Sequence, residues 1–281
     1  MRQSKLFSKT SKNVPKDEVS LNSTLLLRGG YINKLAAGIY TYLPLGLKVL
    51  ENIKTVIREE MDAIGASEIL MPALQPKENW VTTGRWDGLD VLFRLKGAGD
   101  KDFALGATHE EIVTPLLQNY VKSYKDLPVA VYQIQNKFRN EARAKSGLLR
   151  GREFIMKDLY SFHATTADLD SYYDVVIKAY NKIFTRLDLK AAVVESSGGS
   201  FSKFSHEFQV FIENGEDEIY ACDKCERHQN SELVPDGDLK CPYCGTARIV
   251  RKATEVGNIF KLMTKYSTAF DFKFTNESGV P

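Results

Sequence analysis

Apolar residues recur at helical spacing in Leu47, Leu50, Ile53, Ile57, Met61 and Ile64, with Gly65 behind them as a stop. This pattern predicts an amphipathic helix over 46–64. The apolar run at 68–72 is too short for a helix and reads as a strand; its Pro72 must sit at the end or on an edge, because proline cannot donate to a ladder. Helical spacing returns over 165–189 in Leu169, Tyr173, Val176, Ile177, Tyr180, Phe184 and Leu187. Strand-like runs lie at 129–135, 191–195 and 206–212, the last two separated by a turn-rich Ser and Gly stretch. Helices scattered among strands without regular βαβ alternation argue for an α+β fold with a mainly antiparallel sheet flanked by helices.

The segment 138–163 reads as strand, basic loop, strand. Alternation places Arg139 and Glu141 on one face of the first strand, and Phe154, Met156, Asp158, Tyr160 and Phe162 on one face of the second. A face that mixes apolar rings with a few charges suits a ligand floor. Arginines at strand ends can grip phosphate oxygens through charge-assisted bonds, while a phenyl ring offers a surface for a nucleobase. The same spacing also fits a plain hairpin with a solvated basic loop.

Charge sharpens this picture. Across 281 residues, 38 Lys and Arg nearly balance 36 Asp and Glu, so no bulk attraction to a polyanion or membrane arises. The interval 137–157 nevertheless holds seven basic residues against two acidic ones, which makes it the local polyanion candidate. Hydrophobic residues make up 43% of the chain, enough for a substantial core. The N-terminal twenty residues are polar and basic, and no stretch approaches the roughly 18 apolar residues of a membrane helix, so a cytoplasmic protein is expected.

All four cysteines fall in one short segment. Cys222 and Cys225 form one pair, Cys241 and Cys244 another, with fifteen residues between the pairs. That is the spacing of a four-cysteine zinc ribbon, whose closed sulfur site leaves no position for substrate and therefore implies structural zinc. Two disulfides are the alternative.

The stretch FRNEARAKSGLLRGREFIMKDLYSFH, residues 138–163, resembles motif 2 of class II aminoacyl-tRNA synthetases in the form typical of bacterial prolyl-tRNA synthetases. GASEILMPAL at 65–74 resembles motif 1, the dimer-interface element, and LLLRGGYINKLAAGIYTYLPLGLKVL at 25–50 resembles the family's N-terminal segment. The likeness runs from about Leu6 to Phe270, interrupted at the cysteines. It implies ATP- and Mg²⁺-dependent activation of L-proline, transfer to tRNA(Pro), and a homodimer. By the same resemblance Arg139 and Arg150 are the catalytic residues. Arg139 would hold the ATP α-phosphate and the proline carboxylate, Glu141 the adenine edge, Arg150 the γ-phosphate, and Phe154 would stack on adenine. Arg143 and Lys145 would meet the tRNA acceptor stem. Glu255 and Asn258 lie in a segment resembling one that returns to the active site, although Asn258 stands where His is common.

In the stretch Gly106–Glu111, Thr108 and Glu111 can form a capping box, whereas the family resemblance gives Thr108 and Glu110 to the amino acid. Asp158 would assist, with Met156, Tyr160 and Phe162 around the pyrrolidine ring. His163 points to the opposite face by alternation and reads as structural; His206 stays open between structural and pocket roles.

The expected partition is a catalytic core over 1–215, a ribbon insert over 216–251 and a return to the core over 252–281. The chain stops before the place of motif 3, so an incomplete catalytic portion is expected. The alternative is a degenerate paralogue acting as a binding or regulatory protein. The insert stands where many bacterial enzymes of this kind carry a large editing domain, so no cis-editing is expected; hydrolysis of alanyl-tRNA by the pure protein would contradict that.

Overall fold

The computed structural model describes residues 2–15, 18, 20–144, 147–199, 201–235 and 238–280. In chain order its helices and strands begin with α1 (Leu21–Arg28), the hairpin β1 (Ile32–Ala36) and β2 (Ile39–Tyr42), α2 (Pro44–Ala63), β3 (Ser67–Glu68) and β4 (Leu74–Pro76). Next come α3 (Lys77–Thr82), α4 (Arg85–Gly88), β5 (Phe93–Lys96), β6 (Asp102–Leu105), α5 (Glu110–Gln118), β7 (Val129–Phe138) and β8 (Glu153–Phe162). The remainder is α6 (Thr166–Arg186), β9 (Ala191–Ser196), β10 (Ser205–Phe211), β11 (Asp217–Ala221), β12 (His228–Asn230), β13 (Ile249–Phe260) and α7 (Lys265–Ala269).

These elements fall into two compact units. The first comprises Met1–Ala164 with Tyr266–Pro281, the second Thr165–Lys265. The division does not coincide with the partition expected at residues 215 and 252. Strands β13 and β9 pair directly with the ribbon strands β11 and β12, and β10 pairs with both β13 and β9, so the cysteine segment shares a unit with residues on both of its sides. The mainly antiparallel character is as expected. Among the strands of the described residues, β3 with β7 and β12 with β9 run parallel, and the other pairs are antiparallel.

In the first unit, α2 begins at Pro44, whose fixed φ and missing N–H suit a first helical turn. It ends where Gly65 adopts φ 79°. There the Ala66 and Gly65 amides donate to the carbonyls of Met61 and Asp62 at 3.2 and 3.0 Å, a Schellman closure that needs a residue without Cβ strain. The predicted strand at 68–72 is shorter than expected, pairing only over Ser67–Glu68. Side chains take over beyond it: the Met71 amide donates to Gln133 Oε1 at 3.0 Å, and Gln135 Nε2 donates to the Met71 carbonyl. Pro72 has no N–H to continue a ladder.

β7 and β8 form a ten-residue antiparallel hairpin with β3 on its edge. Met71, Val113, Leu117, Val131 and Tyr160 make the core at the end away from its loop, with Phe162 and Phe272 packed against it. A second core joins Trp80, Trp86, Leu92, Ala104 and Ala107 beneath the three-stranded sheet β4–β6–β5. In the second unit β10, β13, β11, β12 and β9 close into a small barrel around Val194, Ile219 and Ala253. Helix α6 starts as predicted, Thr165 Oγ1 accepting the Asp168 amide at 3.2 Å.

Candidate functional site

The hairpin register sets the site. Phe154 lies opposite Lys137, Met156 opposite Gln135, and Asp158 opposite Gln133, so these six side chains share one face. At the loop end the Arg139 guanidinium lies 5.3 Å from the centre of the Phe154 ring. The Arg139 amide donates to the Arg152 carbonyl at 2.9 Å, extending the pairing by one step. The expectation that these two side chains meet is therefore met in the geometry.

Glu141 is placed differently from expectation. β7 ends at Phe138, and Glu141 sits in the following turn, its amide donating to the Arg139 carbonyl at 2.7 Å and its own carbonyl accepting Arg152 Nε at 3.0 Å. Two-residue alternation cannot be extended past the last paired residue. Arg143 and Arg150 are exposed along the loop; Lys145 lies outside the described residues. The loop is braced from the N-terminal side. Arg152 and Glu153 amides donate to the Gly38 carbonyl at 2.8 and 3.4 Å, and Arg152 Nη1 donates to the Ala37 carbonyl at 3.1 Å. Gly38 has φ 73°, and a Cβ there would meet the Ala144 side chain and the Arg152 amide.

Further along the face the polar groups are buried and paired. Asp158 accepts hydrogen bonds from Lys137 Nζ at 2.7 Å, Gln133 Nε2 at 2.9 Å and Tyr160 Oη at 3.0 Å. Lys137 is fully buried; desolvation lowers its pKa, against the pull of Asp158. The Tyr160 hydroxyl accepts the His109 amide at 3.1 Å, and burial raises its pKa. Tyr160 thus holds polar partners as well as lining the core. Phe162 packs on Phe272, with ring centres 5.7 Å apart. Eight strand residues separate it from Phe154, about 26 Å at the usual rise. Phe162 is a core residue, which the period-two pattern alone does not reveal.

The capping box that Thr108 and Glu111 could have formed, the alternative to a role at the amino acid, is absent. Helix α5 starts at Glu110 with His109 at the cap position and no side-chain cap. Thr108 Oγ1 instead donates to Glu110 Oε2, and Glu111 accepts from Arg85 Nη1 at 2.9 Å and from Thr83 Oγ1 at 2.9 Å. Arg85 Nη1 also reaches Glu110 Oε2 at 3.2 Å. A buried guanidinium outcompetes an exposed-helix cap because two adjacent carboxylates out of water need a cation. Burial raises the Glu111 pKa, with Arg85 opposing; Arg85, despite burial, is held more firmly charged by Glu111 and Glu110. His109 Nε2 lies 3.1 Å from the Pro72 carbonyl, which assigns the hydrogen to Nε2. Its Nδ1 is 3.9 Å from Asp158, and burial, followed by the Lys137 charge, pulls its pKa down to about 4.

Arg85, Lys137, Gln133 and His109 had not been singled out from the sequence. Lys137 was legible, two residues before Arg139 and hence on its face. Arg85 sits on a four-residue helix after left-handed Gly84, where no periodicity exists to read.

In the second unit Glu255 is exposed on β13 opposite Gln209, and Asn258 lies opposite Glu207. His206 Nδ1 lies 3.0 Å from the Tyr173 hydroxyl, and burial lowers its pKa. The four cysteine sulfurs lie within 4.8 Å of one another, with Cys222 and Cys244 at 3.5 Å and Cys225 and Cys241 at 3.7 Å. Tetrahedral zinc with Zn–S bonds of about 2.3 Å separates its sulfurs by about 3.8 Å. The cluster fits such an ion, while a disulfide would need sulfurs about 2.05 Å apart. The Cys244 thiol is pulled down to about 6, chiefly by the Thr246 amide, toward the thiolate a metal requires.

Residues 93–280 match the model of the tRNA synthetase class II core domain (G, H, P, S and T). A proline–tRNA ligase of Bacillus cytotoxicus is 50% identical over 237 residues, covering 84% of this chain and 42% of that protein. The Thermotoga neapolitana proline–tRNA ligase is 50% identical over 227 residues, or 80% of this chain and 39% of its own length. The chain thus spans about two fifths of the length of these relatives. Among solved structures, Giardia lamblia prolyl-tRNA synthetase in complex with prolyl-adenylate superposes with a TM-score of 0.69 at 21% identity, over 89% of this chain and 45% of that one. Cryptosporidium parvum prolyl-tRNA synthetase complexed with L-proline and AMP gives a TM-score of 0.70 at 17% identity, over 92% and 46%. These last two likenesses speak to the fold.

Proposed function

This chain belongs to the family of the class II tRNA synthetase core, and from that premise we propose that it forms the nucleotide- and amino-acid-binding portion of a proline–tRNA ligase. The observation that carries the proposal is the Arg139 guanidinium beside the Phe154 ring at the loop end of the β7–β8 hairpin. It offers a cation for phosphate and a flat ring for a base within one ligand's reach. The names of the relatives, at about half identity, support proline as the amino acid.

In the reaction a proline carboxylate oxygen attacks the ATP α-phosphorus in line. The bond to the bridging oxygen breaks and pyrophosphate leaves. The terminal ribose hydroxyl of tRNA(Pro) then attacks the carbonyl carbon of the adenylate and AMP departs. Arg139 neutralises charge on the α-phosphate and orients the proline carboxylate, Arg150 holds the γ-phosphate, Phe154 stacks on adenine and Glu141 meets its edge. Positioning and charge neutralisation of this kind need no protein nucleophile. Glu110, aided by Thr108, receives the ammonium, and Met156 lies against the pyrrolidine ring. Asp158, held by Lys137, Gln133 and Tyr160, fixes the pocket floor. Mg²⁺ on the ATP phosphates would supply further charge neutralisation.

Arg143 and Lys145 are proposed to contact the acceptor stem. Dimerisation through α2 and the segment after it is supported by Leu47, Val49, Leu70 and Leu74, exposed by 47%, 47%, 76% and 51%. The four cysteines are proposed to hold structural Zn²⁺. A cytoplasmic location follows from the activity; no helix among the described residues is long and apolar enough to cross a membrane.

Proline-dependent ATP–pyrophosphate exchange on the full-length gene product tests the proposal. Exchange with proline and no other amino acid is the expected result, and Arg139→Ala should lower its rate by on the order of 10² to 10³. Exchange with another amino acid, or near-normal exchange in the variant, would defeat it.

A further inference from the structure

Glu110 and Glu111 are neighbours at the start of α5, 6% and 0% exposed. Two adjacent buried carboxylates cannot both stay ionised without a cation, and Arg85 is the cation bonded to both. Its bonds are unequal. Both oxygens of Glu111 lie 2.9 and 3.2 Å from Arg85 Nη1, and Thr83 Oγ1, a second donor, adds a third hydrogen bond at 2.9 Å. Glu110 shares the same Nη1 through one oxygen at 3.2 Å, and that oxygen also accepts the Thr108 hydroxyl. The guanidinium is held by more than charge. Its Cζ lies 5.3 Å from the Trp80 ring centre and 5.9 Å from that of Tyr266, and Nη1 donates to the Tyr266 hydroxyl at 3.1 Å. A planar guanidinium can stack on such ring faces while its N–H groups hydrogen-bond in its plane, a combination a compact ammonium does not offer.

We propose that Arg85 is a positioning residue that sets the charge of the amine pocket: it is the standing counter-ion of Glu111, which leaves Glu110 to carry the single negative charge that meets the substrate ammonium. The inference rests on the reading of Glu110 given above and deepens it. The trio carries a net charge of −1 in the free protein, and a zwitterionic amino acid brings one ammonium to it. Arg85 then keeps its bonds to Glu111 and releases its weaker hold on Glu110.

The test is the KM for proline against the KM for ATP, by pyrophosphate exchange on the full-length gene product. Glu111→Gln turns the whole of Arg85 onto Glu110 and should raise the proline KM at least about tenfold, as expected for altering a buried charge pair, with the ATP KM within about twofold. Arg85→Gln should do the same by leaving two carboxylates to share a proton. The combined Arg85→Gln/Glu111→Gln protein regains one unmatched carboxylate and should return the proline KM to within about threefold of wild type, a non-additivity that loss of packing would not produce. An unchanged proline KM in Glu111→Gln, or a double variant no better than the single ones, overturns the role of Arg85. Glu111→Gln alone decides the matter if Arg85→Gln does not fold. Glu110→Gln separates the two readings. A raised proline KM there, beside an unimproved double variant, sinks only the inference, while an unchanged one sinks the pocket assignment as well.

Discussion

Two clusters of acidic groups, one in each unit, meet the same electrostatic problem by opposite means. In the first unit Glu110, Glu111 and Asp158 are buried together with their own cations, Arg85 and Lys137, drawn from elements distant in sequence. In the ribbon the four sulfurs face one another at 3.5 to 3.7 Å across the cluster. They form a cradle for an ion supplied from outside. On the proposal that these sulfurs hold zinc, the two clusters draw their counter-charge from different places: from the folded chain itself in the first unit, and from a supplied metal in the second.

Removing the external ion should have the largest effect. Cys241→Ser, or a strong chelator, forfeits binding free energy on the order of 10 kcal/mol and should unfold the ribbon. Metal analysis is expected to give one zinc per chain, with amide exchange across β11 to β13 rising sharply once the metal is stripped. Protection retained there without metal would break the comparison.

Next in size is the loss of an internal cation. Lys137→Met leaves Asp158 buried with neutral donors only and should cost about 3–5 kcal/mol, as breaking a buried pair does. Both tryptophans, Trp80 and Trp86, belong to the first unit, so the urea midpoint of tryptophan fluorescence reads this unit alone. An unshifted midpoint would mean the pair is not a stabilising partnership.

The smallest expected effect is acid titration of His109. Its pKa falls from 6.5 to about 4 on folding. The unfolded chain therefore takes up the proton first as pH drops. The contribution of neutral His109 is complete above about pH 6.5 and is lost progressively down to about 4, a span worth about 3 kcal/mol. His109→Gln should flatten that limb of the first unit's stability profile. An identical profile in the variant would place the titration elsewhere.

The hairpin was legible because strand-like runs flank a basic loop that stands out against a nearly neutral chain. The ribbon was legible from spacing, since four thiols in two short pairs have few other arrangements. What stayed hidden was partnership across sequence. Nothing near Arg85 announces that it will sit between Trp80 and Tyr266, and Thr108 with Glu111 fits a local cap until that distant cation is placed. Only the strand-face placement of Glu141 failed, and for a simpler reason: alternation ends with the ladder.

The grip of the Ala37 and Gly38 carbonyls on Arg152 has a consequence for biosynthesis. A two-stranded hairpin is marginal alone in water, so the turn at Gly38 has no firm seat until Arg152 is available. At about 5–20 residues per second the ribosome delivers that latch roughly 6 to 23 seconds later. The N-terminal end of the chain thus waits on residues translated more than a hundred codons downstream, and a nascent polypeptide arrested before them would leave the brace of the β7–β8 loop unfastened.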